Sequence, residues 1–253
     1  MLRTLLHGRS TGEGEWWRFP RPARALRERL DQSDSVLAFA EVSQTIVPAR
    51  ISAAFLPNHK CAVIVTDSFA EQAVLSSTFH WLWVARYAST QGVAPSYAPS
   101  QVYATFPLPS ETSKLTALGR QLDTHRAEIL MRRQLGLTKL YHLVNDSELA
   151  DVADSDVVMI RAIHVELDQA VADAYGWSDI NLDHGFHTYR QMERWTVSPA
   201  ARVEILDRLL DENHRRGATE GSSKGRQARR GPAIADEAQS VLFAGPQRNT
   251  GPL

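Results

Sequence analysis

A proline frame between residues 95 and 109 limits what this chain can do more than any other stretch. Pro95, Pro99, Pro107 and Pro109 forbid a helix interior and hold the backbone extended. Just upstream, residues 68–89 carry a helical pattern, opened by Ser68 and Glu71 at the Ser-x-x-Glu spacing that satisfies orphan N–H groups at a helix start. Val74, Leu75, Phe79, Leu82 and Trp83 then recur at helical spacing, so one stripe is apolar and must be packed. Before the helix, CAVIVT at 61–66 reads as a buried strand. Strand, helix and arm form one unit, and the remainder has to be built around it.

The other segments supply a small sheet and more helices. Residues 36–42, 47–55 and 61–66 read as strands, rich in Val, Ile, Ala and Phe, with Pro48, Pro57 and Asn58 as breaks. Pro57-Asn58-His59-Lys60 reads as a hairpin loop with His59 and Lys60 at its tip, and residues 23–30 as a short basic helix with Arg24, Arg27 and Arg29. A second long helix covers 110–134, where Leu115, Leu118, Leu122 and Ile129 trace the apolar stripe with His125 among them and Gly136 just past the end. Its other face carries Arg120, Arg126, Arg132 and Arg133, thinned by Asp123 and Glu128; such a face is either simply solvated or set against a phosphate backbone.

Residues 137–145 add a helical turn. Asp154-Ser155-Asp156 is N-cap material for a third helix at 157–175, which Gly176 ends. Residues 177–194 read as irregular, pinned by Phe186 and Trp195, and Ser198-Pro199 opens a last helix. From Arg215 onward Gly, Ser, Arg and Gln dominate, a composition too poor in apolar residues to offset chain entropy, so disorder is expected. The fold class is α+β: a small mixed sheet with a long packing helix, then an all-α helical domain and a disordered basic tail. The expected divisions are a flexible lead-in at 1–15, a first domain at 16–109, a helical domain at 110–214 and the tail at 215–253.

Composition narrows the function. The chain has 253 residues, 43% hydrophobic content and a formal net charge of −1, which is not the footprint of a generic nucleic-acid binder. A DNA-binding reading therefore needs a local basic surface. One cysteine, Cys61, rules out an internal disulfide and any multi-cysteine zinc site. No run of about eighteen apolar residues is present, and no secretory signal opens the chain, so a cytoplasmic setting without membrane contact is expected. His164-Val165-Glu166 has the His-x-Glu of zinc nucleobase deaminases but lacks the cysteine pair that chemistry requires. Asp183, His184 and His187 lack the helical His-Glu spacing of a zincin, and no Gly-x-Ser-x-Gly elbow or glycine-rich phosphate loop occurs. No catalytic or metal-binding residue is assigned.

The arm, YAPSQVYATFPLP at 97–109, resembles the end of the target-recognition domain of MmeI-like adenine-specific DNA methyltransferases, single-chain restriction–modification enzymes. ARYAST at 85–90, RQLGLTKLY at 133–141 and ADAYGWSD at 172–179 resemble the same family in the same order, so the likeness spans about residues 16 to 215. The chain departs from the family at Ala98, Val102, Ala104 and Leu108, where Thr, Cys, Glu and Phe are common. Family members carry several hundred residues upstream, including an Asn-Pro-Pro-Tyr motif and a fold that binds S-adenosylmethionine; no Asn-Pro-Pro occurs here.

The resemblance thus implies recognition without catalysis. Double-stranded DNA would be the partner, and the chain would be either a truncated remnant or a separate subunit that pairs with a methyltransferase chain; S-adenosylmethionine belongs to the catalytic domain, so this chain would need no cofactor. The residues expected at DNA are Arg18, Arg21, Arg24, Arg50, Lys60, Arg86 and Ser100. Trp16-Trp17-Arg18-Phe19 fits either a DNA-facing edge or a packed domain edge. A reading of another class is a protein-interaction subunit without DNA affinity, docking through Trp16, Trp17, Trp81 and Tyr103.

Overall fold

The computed structural model describes residues 24–55, 57–58, 60–150, 154–189 and 192–228. A short helix α1 (Arg24–Leu30) leads into β1 (Ser35–Ala40), followed by β2 (Ala49–Ser52) and β3 (Cys61–Ile64). The strand order is β2-β1-β3, antiparallel throughout, with Leu37 opposite both Arg50 and Ile64. Alternation along β1 divides the packing: Val36 joins Leu30 and Ala53 under α1, whereas Leu37 and Phe39 face the main core. β2 and β3 are not paired as a hairpin, because they flank β1 on opposite sides; His59, expected at a hairpin tip, lies outside the described residues. As an edge strand β3 is half open, and Cys61, expected inside, is exposed.

The packing helix is broken in two. Helix α2 (Phe69–Ser76) starts at Ser68, whose Oγ accepts from Glu71 N at 3.0 Å. The Glu71 carboxylate accepts instead from Tyr103 Oη of the arm at 2.6 Å. Ser77 ends α2 with φ −75 and ψ 161 and at once caps α3 (Thr78–Tyr87) by accepting from His80 N. The freed Thr78 N–H donates to Asp168 Oδ1 at 2.8 Å, so the break is completed by a carboxylate far along the chain.

Two short strands, β4 (Thr90–Gln91) and β5 (Ala94–Pro95), form a hairpin turned by Gly92 at φ +62, and Pro99 opens the one-turn α4 (Pro99–Val102). The arm beyond is woven into the protein on all sides. Tyr97 stacks on Phe39 with centroids 4.2 Å apart, and Phe106 meets His80 edge-on at 5.2 Å. Tyr175 Oη donates to Pro107 O at 2.8 Å and Arg216 Nη1 to Leu108 O at 2.7 Å.

Helix α5 (Ser113–Arg133) lies against α2, and the two approach so closely that a Cβ at Gly119 would sit 1.9 Å from Phe69 O. It ends on Gln134, in the left-handed region at φ 51, while Gly136 serves as the N-cap of α6 (Leu137–Val144). A 3-10 turn at Ser147–Ala150 leads to α7 (Ser155–Tyr175), capped by Asp154 and ended by Gly176 at φ 77, as its sequence signals indicate. The segment read as irregular holds a hairpin of β6 (Gly185–Tyr189) and β7 (Met192–Thr196), with Phe186 directly opposite Trp195. Helix α8 (Pro199–Ala228) carries regular structure past Arg215, where disorder was expected; residues 229–253 of that tail lie outside the described residues. The α+β class holds, with one hydrophobic core reaching from Leu37 through Leu82, Leu122 and Leu167 to Leu209.

Candidate functional site

The expected DNA contacts divide by position. Arg18 and Arg21 lie outside the described residues, and Arg24 is described only as the first residue of α1. Arg50 is turned inward. Its Nε donates to Gln72 Oε1 at 2.7 Å, Nη1 to Ser35 Oγ and to Thr66 O, and Nη2 to Ser68 O at 2.8 Å, while the guanidinium lies 4.3 Å over the Phe69 ring. Burial lowers its pKa from the ordinary arginine value. In this conformation Arg50 ties β2 to the start of α2 and has little left to offer a ligand.

Lys60, Arg86 and Ser100 are exposed, and backbone bonds bring their segments to one margin. Glu41 N donates to Lys60 O at 2.7 Å, Tyr97 N to Glu41 O at 2.6 Å, and Ser96 N to Ser89 O at 2.8 Å. The start of β3 with Lys60, the end of α3 with Arg86, and the start of α4 with Ser100 therefore lie side by side, with the exposed tip Gln91-Gly92-Val93 beside them. It is an exposed polar margin that carries Lys60 and Arg86.

The basic face of α5 is largely spoken for. Arg132 pairs with Asp156 at 2.6 Å, and Arg133 with Asp154 at 2.8 Å, which fastens the end of α5 to the start of α7. Arg120 lies 4.2 Å over Phe69. Arg126 is 3% exposed and takes the stripe position expected of His125, which is half-exposed and pairs with Glu128.

Arg126 points toward the most polar interior of the molecule. Its Nη1 donates to Tyr141 Oη at 3.4 Å, and that hydroxyl donates to His164 Nε2 at 2.8 Å. Burial pushes His164 down to about 4, so it is neutral near pH 7 and free to accept. One turn along α7, Asp168 is fully buried and accepts from Thr78 N and from His184 Nε2 at 2.9 Å. Thr78, Tyr141, His164, Asp168 and His184 border a chamber of about 50 Å³ between the α2–α3 break, α6, α7 and β7. Arg194 on β7 stands at its mouth, donating to Gln44 O at 2.8 Å and stacking 4.5 Å over Trp81. Lost hydration lowers its pKa to about 10, still charged at neutrality.

Arg194 and Asn145 also line an outer recess of about 290 Å³ that continues the chamber outward. The sequence offered no sign of this cavity. Its lining comes from six separated segments, and Arg194 sits in a stretch with no motif. Among the described residues no group of three or more His, Cys, Asp or Glu is placed to hold a metal ion, and no helix is long and apolar enough to cross a membrane.

The molecule is an α+β protein whose extended arm is locked between a small antiparallel sheet and a set of helices, and a fold of this kind is found in a restriction–modification enzyme. That solved structure, the type IIL enzyme MmeI in complex with DNA, is similar at a TM-score of 0.50 and 18% identity over 79% of this chain. This chain spans 25% of that protein's length, and at such identity the likeness is one of fold alone. No family model matches the chain, and no curated protein matches it.

Proposed function

We propose that this chain is the DNA target-recognition part of an MmeI-like adenine-specific methyltransferase. The observation that carries the reading is the shared fold over 79% of the chain with an enzyme held on DNA. The margin of Lys60, Arg86 and Ser100 would meet the duplex, cations on phosphate and the 90–95 hairpin tip toward a groove. Transfer of the methyl group, and S-adenosylmethionine with it, would belong to a separate methyltransferase chain.

The alternative of a protein-docking subunit has less in its favour. Trp81 is buried at 6% exposure, and the Tyr103 hydroxyl is engaged by Glu71, which removes two of its four aromatic anchors.

Mobility shifts on a random-sequence duplex test the proposal. Binding should fall steeply with salt, and each of Lys60→Ala and Arg86→Ala should reduce the log–log salt slope by about 0.9. Arg50→Ala should instead lower stability. A chain that fails to retain duplex even at low salt, or whose retention ignores both substitutions, is not a DNA reader through this margin.

A further inference from the structure

The chamber beside Arg194 has more donors than the protein can use. Ser76 Oγ, Trp81 Nε1, Trp195 Nε1 and Thr196 Oγ1 all belong to residues lining it, and each is buried without a hydrogen-bond partner. Ser76, Trp81 and Thr196 are at most 6% exposed. Buried polar groups in folded proteins are nearly always paired, and each unpaired one costs on the order of 1–3 kcal/mol. Four gathered around one space point to something that occupies it. Two of the four, the indole N–H groups, can only donate.

Charge gives the sign of the occupant. Arg194 and Arg126 both face the Tyr141–His164 pair, and Arg126 Nη2 is a further buried orphan. Neither arginine has a carboxylate within ion-pair distance among the described residues. The one carboxylate at the chamber, Asp168, already receives Thr78 N–H and His184 Nε2. Glu193 lines only the outer recess, is exposed, and accepts from Ser147 Oγ. Of the two, Arg194 lines the chamber and Arg126 reaches it only through Tyr141. With the one lining carboxylate already satisfied, the charge of Arg194 has no counter-ion, and an uncompensated buried charge is strongly unfavourable unless paired.

We infer that the chamber is a binding site for a small oxyanion of the phosphate type, held by Arg194, the two indole N–H groups and the hydroxyls of Ser76 and Thr196. At about 50 Å³ the chamber is several times larger than the roughly 10–15 Å³ that one water requires. The outer recess of about 290 Å³, bordered by Asn145 and Arg194, is the way in. The site is built from Ile46, Val47, the α2–α3 break, α6, α7, His184 and β7, and none of Lys60, Arg86 and Ser100 of the exposed margin lines it or the outer recess; a free anion is therefore the ligand, not the DNA backbone.

Equilibrium dialysis of the full chain against radiolabelled inorganic phosphate, with ionic strength held by chloride, tests the assignment. Saturable binding of one phosphate per chain is expected, weakened at least tenfold in Arg194→Gln. Thr196→Val, which keeps the side-chain shape and removes one orphan hydroxyl, should weaken it severalfold and guards against misfolding of the arginine variant. Binding that does not saturate, or that both variants leave unchanged, overturns the site and leaves the chamber to water. An unlabelled 20-base-pair duplex should not displace the bound phosphate; if it does, the oxyanion is a DNA phosphate and the free-anion reading falls.

Discussion

His80 is fully buried, with its Nδ1 bonded to Leu75 O at 2.9 Å and its Nε2 to Tyr97 Oη at 3.2 Å. Burial pushes its pKa down to about 4, as it does for His164. In the unfolded chain both return to about 6.5, so below that pH the unfolded state binds protons that the folded state refuses. Their contribution to stability is therefore complete above about pH 6.5 and is lost as pH falls toward 4. By pH 5 the loss should be about 2 kcal/mol per histidine. Urea midpoints at pH 7 and pH 5 measure it, and His80→Gln should flatten the dependence even though it lowers stability at neutral pH. An equal midpoint at both pH values for the unsubstituted chain would rule the account out. The same scale shows why α5 was misread by one position. Residues 118, 122, 125 and 129 fit a helical stripe as well as 118, 122, 126 and 129 do, and the choice of Arg126 depends on Tyr141, a partner no local pattern announces.

Elements were legible where their ends are written locally. Ser68, Asp154, Gly176 and Ser198-Pro199 mark helix boundaries that the fold keeps, because each cap acts within a turn or so of itself. The α2–α3 break was not legible, since it needs Asp168 to receive the Thr78 N–H. Nor was the β6–β7 hairpin: Arg190-Gln191 between the strands is none of the Asn-Gly or Gly-containing pairs that announce a tight turn. Gly119 shows the reverse case, a residue whose local cost has a distant reason. Glycine within a helix costs about 1 kcal/mol relative to alanine, so Gly119→Ala would stabilise an isolated α5. Here the added methyl would lie 1.9 Å from Phe69 O, a backbone atom that cannot turn aside. The clash should dominate, with a net loss of about 1–3 kcal/mol as α5 is forced off α2. Chemical denaturation of the single variant decides the sign, and a gain in stability would mean that the close approach of these helices is not maintained in solution.

At the scale of the molecule, the arm recognised from its prolines is the piece that joins everything. Tyr97 and Phe106 complete the core beneath the sheet and α3, Pro107 and Leu108 accept from α7 and α8, and Thr105 O accepts from Asn213 Nδ2 at 2.6 Å. The core cluster runs from Phe39 to Leu209 without interruption at residue 109, where the sequence suggested a division between two domains. Arg194 of the distant hairpin reaches back to Gln44 O beside β1, which closes the ring. With apolar contacts shared in this way, neither part keeps its buried surface if the other opens. Unfolding should accordingly be a single cooperative step. Urea titration followed by tryptophan fluorescence, dominated on the buried side by Trp81 and Trp83, and by far-ultraviolet circular dichroism, dominated by α5, α7 and α8, should give coincident transitions. Two separated transitions would establish the division at 109, and a first part able to fold apart from its helical support would then be open to exchange between chains. On the proposed DNA-recognition role, coincidence would mean that a change of specificity has to be made at the exposed margin, because any deeper substitution is felt by the whole protein.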